Sequence, residues 1–194
     1  MRELNNWCTL PTAVGDFQMY DTGSEKLMLI TSGDIANLTI PSLLRVHSSC
    51  KASEVFGALD CDCSDQLKQS MRLIAKEKNG MIIYLQQEGR GQGLSNKIRA
   101  IRLAEIEKLD TVEAFNYLNL EQDVRDYQTV VELLQKIGIL KVRLITNNPK
   151  KVEFLQDSGI EVTEIVALNS IVRNQNKDYL QTKVKKLNHT INFN

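Results

Sequence analysis

The chain has 194 residues, 24 of them Lys or Arg and 24 Asp or Glu, so its formal net charge at pH 7 is +0. A balanced chain has no global field to draw it to nucleic acid or to a membrane surface, so its basic residues are expected to gather locally, at one anionic ligand. Hydrophobic residues at 42% and charged residues at 25% are ordinary for a soluble globular protein, and no apolar run reaches the roughly 18 residues that span a bilayer.

The first fifty residues read as strand-rich: FQMY, KLMLITSG and SLLRVHS are short apolar runs broken by turn residues near Asn37. SDQLKQSMRLIAKEKNG places Leu67, Met71, Ile74 and Ala75 at helical spacing, with Ser64 as a candidate cap and Gly80 past the end. MIIYLQ is a continuous apolar run, as in a buried strand. NKIRAIRLAEIEKL reads as a second helix and DYQTVVELLQKIG as a third, with Asp126 as its expected N-cap and Gly138 beyond its end. KVRLIT is a strand, Asn148-Pro149 opens a fourth helix that Gly159 ends, and IEVTEIVAL is a further strand. Helices alternating with buried strands predict a layered α/β fold with a strand-rich N-terminal part and functional residues on loops at the strand ends. No repeat or Gly/Ser linker divides the chain, so a single domain over 1–194 is expected, its polar, basic tail from about 183 partly mobile. The start, MRELNNWCTLPTAVGDF, lacks the basic and apolar regions of a signal peptide, which makes the cytoplasm the expected location.

The cysteines carry the clearest chemistry. Cys50, Cys61 and Cys63 read C-x10-C-x-C, while Cys8 lies far off. In an extended segment, residues two apart share a face, so Cys61 and Cys63 are expected to present their thiols together. Three soft ligands are one short of a closed tetrahedral zinc site, and a zinc with an open position activates water. A lone buried cysteine is ordinarily a small hydrophobe, but the C-x-C pair fits that role poorly.

Three further segments are ambiguous taken singly. QQEGRGQGLSNKIR sets Gly89, Gly91 and Gly93 around Glu88 and Arg90 and leads into a helix with Lys97 and Arg99. It suits a phosphate-binding turn or an ordinary glycine turn. LEQDVRDYQTV crowds Asp123, Arg125 and Asp126, as in a solvated helix start. LITNNPKKVEFL ends a strand at Thr146, Asn147 and Asn148 and begins a helix with Lys150 and Lys151, which suits either a phosphate or simple capping.

In order, RVHS-x-C, CDC, QEGRG-x-G, NKI-RA, DTVEA, D-x-RDY and TNNPKKVE resemble the succession of motifs in GTP cyclohydrolase II, and LPTAVGDF and RNQNKDYLQTKVKKLNH extend the likeness to nearly the whole chain. The resemblance implies a zinc hydrolase that opens the guanine imidazole ring of GTP at C8 and releases formate and pyrophosphate, giving a riboflavin-type pyrimidine precursor. It implies Zn2+ on Cys50, Cys61 and Cys63, Mg2+ with the triphosphate, and a homodimer. It assigns Arg125 as the nucleophile toward the α-phosphorus and Asp123 as general base. A guanidinium is effectively always protonated, so a role for Arg125 in stabilising phosphate charge is an equally physical alternative. The resemblance further implies that Arg45, Val46, His47, Ser48, Ser49, Gln66, Glu88, Gly89, Arg90, Thr111, Thr146 and Lys151 contact the nucleotide. Serving riboflavin synthesis, the unit is expected to act without a fused second enzyme.

Three positions depart from the family pattern. Ser49 replaces an acidic residue, Ser64 replaces glycine, and Ile101 stands where the family places a tyrosine assigned to ring opening. Isoleucine has no proton to give. The departure leaves open the full reaction, a reaction stopping at the formylamino-pyrimidine, action on another nucleotide, a catalytically silent nucleotide-binding protein, or a structural zinc module.

Overall fold

A computed structural model describes residues 4–191. It divides into two compact units between which the chain passes repeatedly: residues 1–47, 67–85 and 127–168 form the first, and residues 48–66, 86–126 and 169–194 the second.

The first unit is built on a sheet of seven strands among the described residues: β1 (Trp7–Thr12), β2 (Gly15–Tyr20), β3 (Leu27–Ser32), β4 (Ser42–Ser48), β5 (Gly80–Leu85), β6 (Lys141–Ile145) and β7 (Glu161–Val166). Their order is β1-β2-β3-β5-β4-β6-β7. β1 through β3 and β5 pair antiparallel, whereas β4–β6 and β6–β7 are parallel. The continuous apolar run Met81–Ile83 lies on the interior strand β5, where both faces are covered, as expected for an unalternating sequence. The strand period of two divides adjacent residues between two cores. Leu44, Ile83 and Leu144 join Leu29, Val130 and Leu134 in one cluster. Leu43, Ile82 and Ile145 join Phe17, Ile74 and Leu168 in the other. Fully burying one such side chain is worth about 1.5–3 kcal/mol.

Helices cover these faces. The part of α2 (Cys63–Glu77) that lies in this unit contributes Leu67, Met71 and Ile74 at helical spacing. α5 (Gln128–Lys136) buries Val130, Val131, Leu133 and Leu134. α6 (Pro149–Asp157) starts as the sequence predicts, with Pro149 in its first turn and the Asn148 side chain accepting from the Lys150 N–H at 3.1 Å. Two expected caps differ. α2 begins at Cys63, so Ser64 lies inside its first turn, and Tyr127, not Asp126, holds the N-cap position of α5.

The second unit carries α1 (Lys51–Phe56), α3 (Gly93–Glu107), α4 (Thr111–Tyr117) and α7 (Lys177–Leu187). Its small core joins Ala100 of α3 to Ala114 and Phe115 of α4. The DTVEA motif is a capping box: the Asp110 carboxylate accepts from the N–H groups of Val112 and Glu113, and the Glu113 carboxylate accepts from the Asp110 N–H. Lys186 of α7 pairs with both acids. The sequence reading did not anticipate α1, α4 or α7. The tail expected from about 183 begins inside α7, and its last residues, 192–194, lie outside the described residues.

Gly80 opens β5 where a side chain has no room: an added Cβ would stand 2.7 Å from Leu43 Cβ and 2.8 Å from the Leu43 carbonyl oxygen. Gly80→Ala is expected to destabilise the protein by about 1–3 kcal/mol in urea denaturation. An unchanged midpoint would contradict this packing.

Candidate metal and nucleotide site

The second unit gathers the three cysteines. Cys50 holds the N-cap position of α1, Cys61 lies in the bend before α2, and Cys63 is the first residue of α2. The thiols therefore converge through a bend into a helix start rather than through the extended segment the sequence suggested. The three Sγ atoms lie within 4.8 Å of one another, and among the described residues no fourth His, Cys, Asp or Glu joins the group. Cys50 Sγ and Cys61 Sγ are 3.7 Å apart. Two sulfurs bound to one tetrahedral zinc at about 2.3 Å stand about 3.8 Å apart, so the donor set fits a zinc ion with one position left open. The three thiols titrate together. Hydrogen bonds from Cys61 and Cys63 hold Cys50 far below the usual thiol range, against its burial. Sharing with Cys50 raises Cys61 and Cys63.

Lys97 of α3 reaches this centre. Its Nζ donates to Cys50 Sγ at 3.1 Å and to Glu88 Oε1 at 2.7 Å. Burial lowers the Lys97 pKa, but the Glu88 carboxylate and the Cys50 sulfur outweigh it and the net shift is upward. Within the protein, Lys97 thus bonds a thiol and a carboxylate, partners that the sequence reading did not anticipate. Glu88 is buried, and its Oε2 accepts from the Lys51 N–H at 2.8 Å. A carboxylate offers about four lone-pair positions, so Glu88 retains acceptor capacity for a ligand.

In the second unit, several buried polar atoms have no hydrogen-bond partner among the described residues: Oγ of Ser48 and Ser49 and both terminal nitrogens of Arg90. A buried guanidinium left unpaired is costly unless an anion meets it. Arg90 sits in the left-handed region (φ 57°), with its guanidinium carbon 5.8 Å from the centre of the Phe115 ring. Gly91 permits this turn, because a Cβ there would stand 2.9 Å from the Val124 backbone carbon. Gly89 is also left-handed (φ 62°).

Asp123 and Arg125 lie in the loop before α5 as one clamped pair, not as a solvated helix start. Arg125 Nε donates to Asp123 Oδ1 at 2.8 Å and the Arg125 NH2 group donates to Oδ2 at 2.5 Å. Burial raises the Asp123 pKa, but the Arg125 hydrogen bonds and charge outweigh it and hold the carboxyl below its usual range. Thr111 opens α4 behind the Asp110 cap. Gln66 donates to Asp62 Oδ2 at 2.6 Å.

The first unit places the other candidates on and beside β4. Arg45 NH1 donates to the Ile145 carbonyl at 3.1 Å, and Arg45 NH2 lies 3.3 Å from His47 Nδ1. His47 stacks on Tyr84 with ring centres 5.6 Å apart. Lys151 is buried, and its Nζ donates to the Val46 carbonyl at 2.7 Å and lies 5.5 Å from the centre of the Tyr127 ring. Thr146 Oγ1 accepts from the Asn148 N–H at 3.0 Å. Sequence reasoning missed Asp62, which is fully buried between two of the cysteines, and its ion-pair partner Lys183. The only signal available was an acid inside the C-x-C motif. Ile101 lies on α3, 39% exposed.

The profile of the GTP cyclohydrolase II family matches residues 3–167. The chain is 43% identical over 189 residues to the riboflavin biosynthesis protein RibBA of Bacillus cytotoxicus, an alignment covering 95% of this chain and 47% of that protein. To RibBA of Chlorobium phaeovibrioides it is 43% identical over 186 residues, 94% of this chain and 45% of that one. It thus spans about half the length of these curated relatives. A crystal structure of RibBX, a two-domain 3,4-dihydroxy-2-butanone 4-phosphate synthase from A. baumannii, aligns over 85% of this chain and 39% of that one with a TM-score of 0.42 and 12% identity. On the profile match and the RibBA identities, the chain belongs to the GTP cyclohydrolase II family.

Proposed function

We propose that this protein is a zinc-dependent hydrolase that opens the guanine ring of GTP and releases formate and pyrophosphate, supplying a pyrimidine precursor for riboflavin. The observation that carries the reading is the trio of sulfurs spaced for one zinc with no fourth ligand among the described residues. When bound, the metal supplies Lewis-acid activation of water at its open position. The other steps belong to the chain. Lys97 donates to Cys50 and draws electron density from that ligand. Glu88 accepts from the guanine edge with the lone pairs that Lys97 and the Lys51 N–H leave. Arg90, whose terminal nitrogens lack a hydrogen-bond partner among the described residues, takes up anionic charge on the nucleotide. Asp123 holds Arg125 by two parallel bonds, which supports charge stabilisation at phosphate over attack by a guanidinium nitrogen.

Ser48, Ser49, Gln66, Gly89 and Thr111 of the second unit, and Arg45, Val46, His47, Thr146 and Lys151 of the first, keep the nucleotide-binding roles that the family resemblance implies. Mg2+ on the triphosphate, a homodimer, a cytoplasmic setting and action of residues 1–194 as one functional domain belong to the same proposal. No helix among the described residues is long and apolar enough to cross a membrane.

Incubating zinc-loaded protein with GTP and Mg2+ tests this reading. Formate, pyrophosphate and the absorbance of an opened pyrimidine are expected together; nucleotide binding with no turnover would sink it. Cys61→Ser is expected to cut formate release at least about 100-fold while pyrophosphate release persists, because the Asp123–Arg125 pair uses no thiolate. Loss of both products in a folded variant would contradict that division of labour.

Ile101 favours a second reading, in which the reaction stops at the formylamino-pyrimidine, since its side chain has no group to move a proton. On that reading the parent releases pyrophosphate without formate, and Ile101→Tyr raises formate release by about 100-fold or more. Equal yields of formate and pyrophosphate from the parent would dismiss it.

A further inference from the structure

Asp62, the residue between Cys61 and Cys63, has no exposed surface. A carboxylate removed from water survives as an ion only when it is paired and hydrogen-bonded. Asp62 meets that demand in full. Its Oδ1 accepts from Lys183 Nζ at 2.5 Å. Its Oδ2 accepts from Gln66 Nε2 at 2.6 Å and from Ser170 Oγ at 3.1 Å, and its carbonyl accepts from the Gln66 N–H at 3.0 Å. Lys183 is itself buried, and its Nζ lies 4.8 Å from the centre of the Tyr179 ring.

Two of these partners, Ser170 and Lys183, come from the segment after residue 168, beyond the 3–167 stretch that matches the family profile. That segment is fastened close by a second time, to the first turn of α2, by Arg173 donating to both oxygens of Asp65 at 2.5 and 3.0 Å. Its helix α7 also reaches the capping box of α4 through Lys186. Each of these fastenings meets an acid, and the deepest one meets the acid between two cysteines.

We infer that Lys183 is a positioning residue of the metal centre: through Asp62 it fixes the backbone that presents Cys61 and Cys63, and so makes α7 a working part of the zinc site. Groups that orient metal ligands from outside the first coordination sphere commonly change affinity 10- to 100-fold when removed. A bend leading into a helix start has no strand ladder to hold two thiols in register, so here the carboxylate of the intervening residue does that work. The inference rests on the reading of the three cysteines as a metal site and needs no particular substrate.

The test uses the full chain with Zn2+ and Co2+ and no nucleotide. Lys183→Met is expected to lower Zn2+ affinity about 10- to 100-fold in competition with a chromophoric chelator and to shift the visible ligand-field bands of the Co2+-loaded protein. A folded Lys183→Met protein with the parent's affinity and the parent's Co2+ spectrum overturns the inference. Should the single variant fail to fold because Asp62 is left uncompensated, the double variant Asp62→Asn/Lys183→Met removes both charges. It is expected to fold and still show weakened affinity and altered bands, and parental values for both would overturn the inference. A parent that binds neither metal removes the cyclohydrolase reading and this inference together, whereas a parent that binds beside an equally competent variant removes only the inference.

Discussion

Three thiols within 4.8 Å of one another form a constraint that the rest of the second unit is arranged to meet. Without a cation they resist ionising together: hydrogen bonds from Cys61 and Cys63 chiefly, with the Ser53 N–H and the Lys97 charge, drive Cys50 down, while sharing with Cys50 pushes Cys61 and Cys63 up. Cys50, Cys61 and Cys63 would hold a divalent metal as thiolates, which would resolve that conflict and couple binding to loss of their protons. The α1 N-terminus, the bend at Cys61 and the start of α2 are the elements that bring the sulfurs together. α1 has only six residues and the bend at Cys61 has no ladder of its own, so the arrangement depends on side chains that tie them to the start of α2.

Those ties are unusual for their charge. Asp62, Glu88 and Lys183 are all largely buried, where charged side chains are rarely found unpaired. In the second unit the pairs Asp62–Lys183 and Glu88–Lys97 sit beside cysteines, and Asp123–Arg125 forms a third. Buried pairs of this kind add little net stability compared with apolar residues, but breaking one costs a great deal. Their retention is therefore best explained by what they hold in place. Arg90 is the complement: its terminal nitrogens have no hydrogen-bond partner among the described residues, which is why the proposed function gives it the nucleotide's anionic charge.

Much of the fold was legible because hydrophobic period reports burial directly. MIIYLQ showed a two-sided buried strand, and Leu67, Met71 and Ile74 showed a helix face, since both depend only on local spacing. The Asn148–Pro149 helix start was equally local. The cysteine spacing pointed to the thiol cluster for the same reason, but its geometry did not follow, because a bend cannot be told from a strand over three residues. The Asp62–Lys183 pair was invisible: its members are 121 positions apart, and neither belongs to a pattern when read alone. The contact of Lys97 with Cys50 was not legible either: a basic residue beside a glycine turn suits a phosphate or an ordinary turn, and nothing in the sequence shows Cys50 approaching it. α4 was overlooked at seven residues, too short for periodicity to show, although its capping box was written in DTVE.

Zinc-edge X-ray absorption on metal-loaded protein, free of nucleotide, addresses the centre of this account. The account predicts three sulfur neighbours at about 2.3 Å and one light-atom neighbour at about 2.0 Å that exchanges with solvent. Four protein-derived ligands closing the sphere, or a protein that retains no zinc, would contradict it.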